Sequence, residues 1–128
     1  MFNLYWLFEF GNKIERFQSG FRLLVLVLVT GIVANVCQFL HQPQSMFGGL
    51  SGVVYGLFAY CILQSRLYRA YMLKPRPGVE PFLLVWLLIG VTGIMSTLGI
   101  VNIANAAHIG GLMTGILMGL IPFRKSMR

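Results

Sequence analysis

The sequence has little charge and no aspartate. Only 10% of its 128 residues are charged, whereas about 25% is usual for a soluble domain. The acidic residues number three and are all glutamates, namely Glu9, Glu15 and Glu80. Apolar residues make up 57% of the chain. This composition argues against a soluble globular domain and favours a membrane protein.

Long apolar runs without charge indicate the number of membrane spans. Four such runs are long enough to span a membrane. A fifth apolar piece, residues 1–10, is only about half a span long. We expect it to be the end of a helix whose beginning is absent, not a signal peptide. We therefore predict an all-α membrane protein, a single domain over residues 1–128 with four full transmembrane helices and a partial N-terminal one. The predicted full spans are residues 23–40, 47–65, 81–98 and 104–122.

The chain has a net charge of +7, and its basic residues fall into three groups separated by the predicted spans. Under the positive-inside rule, residues 11–22, 66–80 and 123–128 are cytoplasmic, while residues 41–46 and 99–103 lie outside. This topology places the C-terminus in the cytoplasm. The groups then serve as topology signals and phospholipid contacts, and we do not expect a nucleic-acid partner. They are Lys13, Arg16 and Arg22; Arg66, Arg69, Lys74 and Arg76; and Arg124, Lys125 and Arg128.

Two cysteines, Cys37 and Cys61, both fall inside predicted spans. No further cysteine or metal-ligand spacing accompanies them, so we interpret both as reduced packing residues. The sequence predicts no metal site and no organic cofactor.

A serine and a histidine are predicted at the same depth in the membrane. If the helix begins near Phe47 on the outer face, Ser51 lies four residues in, roughly 6 Å below its start. His108 is four residues past Ala104, where the last span begins on the same face. Ionisable residues in spans usually face the bundle interior or a water-filled cavity. The two side chains are therefore expected at one level of the bundle.

Small residues at four-residue spacing predict that these two helices pack closely. Close packing would bring Ser51 and His108 within hydrogen-bond distance. The His108 imidazole could then take the proton of the Ser51 hydroxyl during attack on a carbonyl. The stripes are Ala107, Gly111, Gly115 and Gly119 on the last span, and Gly48, Gly52 and Gly56 on the serine helix, with Gly49 beside them.

Tyr55 is one turn after Ser51 and shares its helix face, so its ring is placed to pack on His108 and orient the imidazole. The glutamates lie at or near the cytoplasmic side, and the chain has no aspartate to complete a triad. Any hydrolytic chemistry would therefore use a Ser–His dyad.

Each of these residues also has a structural interpretation. Ser51 alone is typical of a small packing residue bonded to the preceding turn. His108 alone is typical of a structural histidine bonded across helices, and Tyr55 of core or lipid-facing packing. Asn3, to which only the family resemblance given next assigns a site role, is equally consistent with an inter-helix hydrogen bond. Only the combination of matched depth, the small-residue faces and two sequence motifs of one family favours a catalytic site.

The segments "GGLSGVVYGL" and "NIANAAHIGGLMTG" resemble the rhomboid family of intramembrane serine proteases, closest to the bacterial type. The family has a G-x-S-G segment at the start of one helix and an A-H-x-x-G segment at the start of the last helix of a six-helix core. The matching segments here are Gly49 to Gly52 and Ala107 to Gly111. The opening "MFNLYWLFEFGNKIE" resembles the second helix of the family, short of its start, and the cytoplasmic turn after it.

The resemblance implies a role for each matched residue. Ser51 would be the nucleophile and His108 the general base, with Tyr55 stacked on the imidazole. Asn3 and the Ser51 amide would form the oxyanion hole, in which each donor typically contributes about 3 kcal/mol. Gly49 would offer its carbonyl at the substrate-facing edge. Gly52 and Gly111 would be close-packing positions between the two helices. The family also has a histidine one turn before the asparagine, and this chain begins after that position.

Two functions remain open at this stage. The first is an intramembrane serine endopeptidase that cleaves transmembrane proteins near the outer membrane face, in a bacterial inner membrane. The second is a catalytically inactive rhomboid-like fragment that binds transmembrane segments. A transporter or channel fragment ranks third, because the sequence has no interrupted helix pair and no ring of ionisable residues. The oligomeric state is left open.

Overall fold

The computed structural model describes the backbone of residues 2–41, 50–92 and 105–122, with side chains at residues 3–41, 50–89 and 106–122. Every regular element in these ranges is helical. The helices are α1 (Phe2–Phe17), α2 (Gly20–His41), α3 (Ser51–Leu67), α4 (Val79–Thr92) and α5 (Asn105–Gly119), with a short 3-10 helix at Tyr71–Leu73 between α3 and α4. The all-helical fold class is confirmed, whereas the single domain over residues 1–128 stays a prediction.

Helix α1 is longer than the sequence predicted, since it continues to Phe17 and does not end near residue 10. The helix break comes at Ser19, whose hydroxyl accepts a hydrogen bond from the Arg22 amide at 2.9 Å. This contact is an N-terminal cap for α2, which begins at Gly20. The predicted cytoplasmic stretch 11–22 is therefore helical on both sides of one tight turn.

Helix α3 begins at Ser51, with Leu50 as the preceding cap residue. The prediction that this helix starts near Phe47 is wrong, because Leu50 already lies outside it. The serine is consequently the first residue of its helix, and not four residues in. The predicted span 81–98 can be compared only as far as Thr92, where the described part of α4 ends.

Helix α3 lies at the centre of the bundle, and its buried residues run from Gly52 to Cys61 without interruption. It runs parallel to α5, because Gly52 lies beside Ala107 near the start of both helices while Gly119 lies beside Leu63 near the end of both. Helices α1 and α2 also pack on α3. The core around it contains Trp6, Phe10, Ile14, Leu26, Tyr55, Phe58, Tyr60, Leu73, Leu83 and Leu87.

A network of polar side chains lies at the end of the bundle opposite Ser51. The Tyr60 hydroxyl donates to Gln18 Oε1 at 2.5 Å and accepts from Arg22 Nε at 3.0 Å. The Gln64 amide donates to the carbonyls of Gly119 and Ile121, both at 2.9 Å. Because α5 ends there, these bonds satisfy carbonyls that have no partner within the helix.

The described ion pairs lie at that same end. Glu9 contacts Arg76 at 3.1 Å and Lys13 at 3.5 Å, and Arg66 contacts Glu80 at 2.6 Å. The first two basic groups of the sequence therefore meet on one side of the bundle, away from Ser51. The third group lies outside the described residues.

The outer surface of the bundle is strongly apolar. Phe8, Phe21 and Leu40 are each at least 70% exposed, and exposed large apolar side chains also cover much of α4 and α5. Of the described helices, α2 alone has the length and hydropathy to cross a bilayer. Four such helices were predicted; α4 and α5 are apolar but shorter in their described parts, and α3 carries Gln64 and Arg66 within its 17 residues.

Candidate active site

Ser51 occupies the first position of α3, and its side chain is partly exposed. The amides of the first turn of a helix have no acceptor within that helix. The Ser51 amide belongs to this first turn, at the end of the helix where the backbone dipole favours negative charge. A backbone amide at such a helix start is suited to holding an oxyanion.

Close packing of α3 on α5 brings Ser51 and His108 to neighbouring positions. Gly52 follows Ser51, and a Cβ atom added at Gly52 would lie 2.9 Å from the carbonyl oxygen of Ala107, which precedes His108. A Cβ atom at Gly111 would lie 2.7 Å from the carbonyl carbon of Gly52. The two backbones thus touch because neither position has a side chain.

His108 is almost fully buried, with 5% of its surface exposed. Its ring packs against Tyr55 with the ring centroids 4.9 Å apart and the planes inclined by 44°. Its Nδ1 atom is buried and has no hydrogen-bond partner among the described residues. The Tyr55 ring is therefore a main described contact of the imidazole.

Ser51 and His108 are not joined by a hydrogen bond in the part of the chain that the structure describes. Catalytic hydrogen bonds are often long or poorly aligned without substrate and shorten in the reacting complex. The fold places a buried imidazole in the first turn of α5 and a hydroxyl at the start of α3, and these two helices pack closely. This arrangement is suited to proton transfer from the hydroxyl once the two groups align.

The other predicted site residues have different outcomes. Asn3 lies in the first turn of α1, at the same end of the bundle as Ser51, and is partly buried. It makes no hydrogen bond to Ser51 or His108 within the described structure. Gly49 lies outside the described residues. The roles of these residues in an oxyanion hole and a substrate-facing edge stay predictions.

Two contacts of the site had not been foreseen. Gln38 of α2 is buried, and its Oε1 accepts a hydrogen bond from the Ala107 amide at 3.3 Å, one residue before His108. The Tyr55 hydroxyl donates to the carbonyl of Leu83 in α4 at 3.0 Å. A glutamine inside an apolar span is a signal that could have identified Gln38. No sequence signal points to the carbonyl of an ordinary leucine.

Acidic and metal-binding groups are absent from this site as far as the structure describes it. The described residues contain no cluster of three or more His, Cys, Asp or Glu side chains that could hold a metal ion. The glutamates of the chain pair with basic residues at the opposite end or, like Glu15, lie on α1 toward that end.

The fold and the site define a class: a helical bundle with an apolar exterior, in which a serine and a histidine lie in the first turns of two closely packed helices. Comparison with known proteins gives the family. The family model described as the Rhomboid domain matches residues 1–125. The chain therefore belongs to the rhomboid family.

Individual relatives agree with this family. The chain is 35% identical over 128 residues to the rhomboid protease GlpG of Yersinia pseudotuberculosis serotype I (strain IP32953), covering 100% of this chain and 44% of the relative. It is equally similar to the protein of the same name from Yersinia pestis. It is 39% identical over 119 residues to that of Pectobacterium atrosepticum, covering 92% of this chain and 41% of the relative. The chain spans less than half the length of these curated relatives.

Proposed function

We propose that the chain carries the catalytic centre of an intramembrane serine protease. Ser51 attacks the substrate carbonyl, and His108 accepts the proton of its hydroxyl. Tyr55 holds the imidazole, and the Ser51 amide stabilises the developing oxyanion together with Asn3. The substrates are transmembrane proteins cut near the outer membrane face, where segments with a weakened helix expose their carbonyls.

One observation supports this proposal: α3 and α5 touch at Gly52 and Ala107, the residues next to Ser51 and to a buried, ring-packed His108. A purely structural histidine would be expected to use both ring nitrogens in hydrogen bonds when it is this deeply buried. His108 Nδ1 has no such partner among the described residues. An imidazole held by ring packing in this way is consistent with a base that is not fixed in a structural hydrogen-bond network.

The surface of the bundle supports a location in a lipid bilayer. A continuous apolar exterior of this extent is unusual for a soluble monomer. The described basic residues gather at the end away from Ser51, which supports a cytoplasmic position for that end and for the C-terminus. The named relatives come from bacteria, so we place the protein in a bacterial inner membrane.

Labelling with a serine-directed fluorophosphonate tests the nucleophile and the base. The purified chain in lipid nanodiscs should be labelled, and both Ser51→Ala and His108→Ala should abolish the label. Ser65→Ala and His41→Ala are the matched controls, since Ser65 lies near the other end of α3 and His41 is the exposed last residue of α2. Label that persists in Ser51→Ala would refute the assignment of the nucleophile.

A second function is favoured by the lack of a hydrogen bond between Ser51 and His108 in the described structure. A catalytically inactive member of the family would keep the close α3–α5 contact and bind transmembrane segments without cutting them. In that case the unmodified chain would not react with the fluorophosphonate. It would still form photo-crosslinks to a model transmembrane peptide, and Ser51→Ala would form them equally well.

A further inference from the structure

The side chain of Tyr55 has two ends that contact different helices. Its ring packs on His108 of α5 at 4.9 Å, and its hydroxyl donates to the Leu83 carbonyl of α4 at 3.0 Å. Only 3% of the residue is exposed. One rigid side chain therefore spans from α4 to the imidazole.

The hydroxyl bond has few alternatives in this environment. Leu83 lies within α4, so its carbonyl also accepts the bond of its own helix, and the tyrosine uses the second lone pair. The Leu83 side chain is buried in the same core as Phe58, whose ring meets Tyr55 edge-on at 6.5 Å. A buried hydroxyl that loses its acceptor there gains no water in exchange, so the bond is costly to break.

Helix α4 is otherwise attached to the central helix by side chains and not by close backbone contact. Over the described residues, the backbone of α3 approaches α1, α2 and α5 closely, but not α4. At the inner end of the bundle, which is the end opposite Ser51, Arg66 of α3 pairs with Glu80 of α4, and this pair is exposed to solvent. Toward the site, the Tyr55–Leu83 bond is a described polar contact that links α4 to α3.

We propose that the Tyr55 hydroxyl couples the position of α4 to the orientation of His108, so that the Leu83 carbonyl helps to position the general base. This inference rests on the proposed function, because it concerns the same base. A displacement of α4 pulls on the hydroxyl, turns the ring and tilts the imidazole away from Ser51. Tyr55 is thus a positioning residue, and α4 belongs to the machinery that holds the base.

The substitution Tyr55→Phe isolates the hydroxyl, because it keeps the ring against His108. We expect the maximal rate of fluorophosphonate labelling at saturating probe to fall about ten- to a hundredfold, the size of effect that a misplacement of about 1 Å produces. The probe concentration giving half the maximal rate should change little, because probe binding does not involve the hydroxyl.

Tyr60→Phe is the matched control on the same helix. The Tyr60 hydroxyl bonds Gln18 and Arg22 at the inner end of the bundle, far along α3 from Ser51. Its loss should lower the stability of the fold and leave the maximal labelling rate of the folded protein unchanged. A rate that falls equally in both variants would overturn the proposal, since a general loss of stability would then explain it.

A double-mutant cycle tests the coupling itself. Leu87→Ala removes a buried anchor of α4 and should lower the labelling rate in the presence of Tyr55. In the Tyr55→Phe background it should have little further effect, because α4 is already uncoupled from the imidazole. Equal effects of Leu87→Ala in the two backgrounds would overturn the coupling. Each rate is corrected for the folded fraction, measured by tryptophan fluorescence.

The two proposals fail in different ways. Labelling that is absent from the unmodified chain, or that persists in Ser51→Ala, overturns the proposed function and this inference together. Labelling that depends on Ser51 and His108 but is unchanged by Tyr55→Phe overturns only the inference.

Discussion

The substitution Gly111→Ala tests whether backbone contact between α3 and α5 builds the site. A Cβ atom at Gly111 would lie 2.7 Å from the Gly52 carbonyl carbon and 3.0 Å from its Cα, whereas ordinary van der Waals contact begins at 3.4 Å. These are backbone atoms and cannot rotate away. The two helices must therefore move apart by well over half an ångström at the level of Ser51.

The expected cost follows from overpacking and from helix propensity. Overpacking a tight contact costs about 1–3 kcal/mol, and the upper end applies here because the opposing atoms are backbone. Replacing a helical glycine by alanine returns about 1 kcal/mol. We expect a net loss of about 2 kcal/mol in the free energy of unfolding.

Gly31→Ala is the matched control, because Gly31 is also a helical glycine but its added Cβ would lie 3.4 Å from Val53 Cγ2. This variant should be unchanged or stabilised by up to about 1 kcal/mol. The assay is unfolding in mixed micelles with increasing sodium dodecyl sulfate, followed by the fluorescence of Trp6 and Trp86. Labelling of Ser51 should also fall in Gly111→Ala and persist in Gly31→Ala. Two variants of equal stability would refute the reasoning.

Three other substitutions give distinct outcomes. Asn3→Ala should lower the maximal rate of peptide cleavage on the order of a hundredfold with an unchanged unfolding free energy, and equal rates would remove Asn3 from the oxyanion hole. Gln64→Leu should lower the unfolding free energy by about 1–3 kcal/mol, because the carbonyls of Gly119 and Ile121 lose their donor. Unchanged stability in the same micelle assay would contradict this. Arg66→Gln should change stability by less than about 1 kcal/mol, since its pair with Glu80 is exposed, and a larger loss would show a buried contribution.

Much of the helix pattern follows from the sequence, and its errors have local causes. The apolar runs predicted α2, α4 and α5 to within a few residues where the structure describes them. The predicted end of α1 was wrong because its last turns, residues 11–17, are mostly polar and charged and do not continue the apolar run. The short break at Ser19 lies between this polar helical stretch and the apolar helix α2. The start of α3 was wrong because glycines at a helix entrance do not distinguish packing from a break in the helix.

The sequence by itself determined the class of protein, since low charge, long apolar runs and two short motifs need no coordinates to be recognised. It also singled out His108, because an ionisable residue in an apolar span is rare, and Ser51 through the predicted depth that the two share; their roles stay predictions. Only the tertiary structure decided how the imidazole is held. The acceptor of the Tyr55 hydroxyl is a backbone carbonyl of α4, and every residue carries such a group. Which carbonyl lies within reach depends on the packing of α4 against α3.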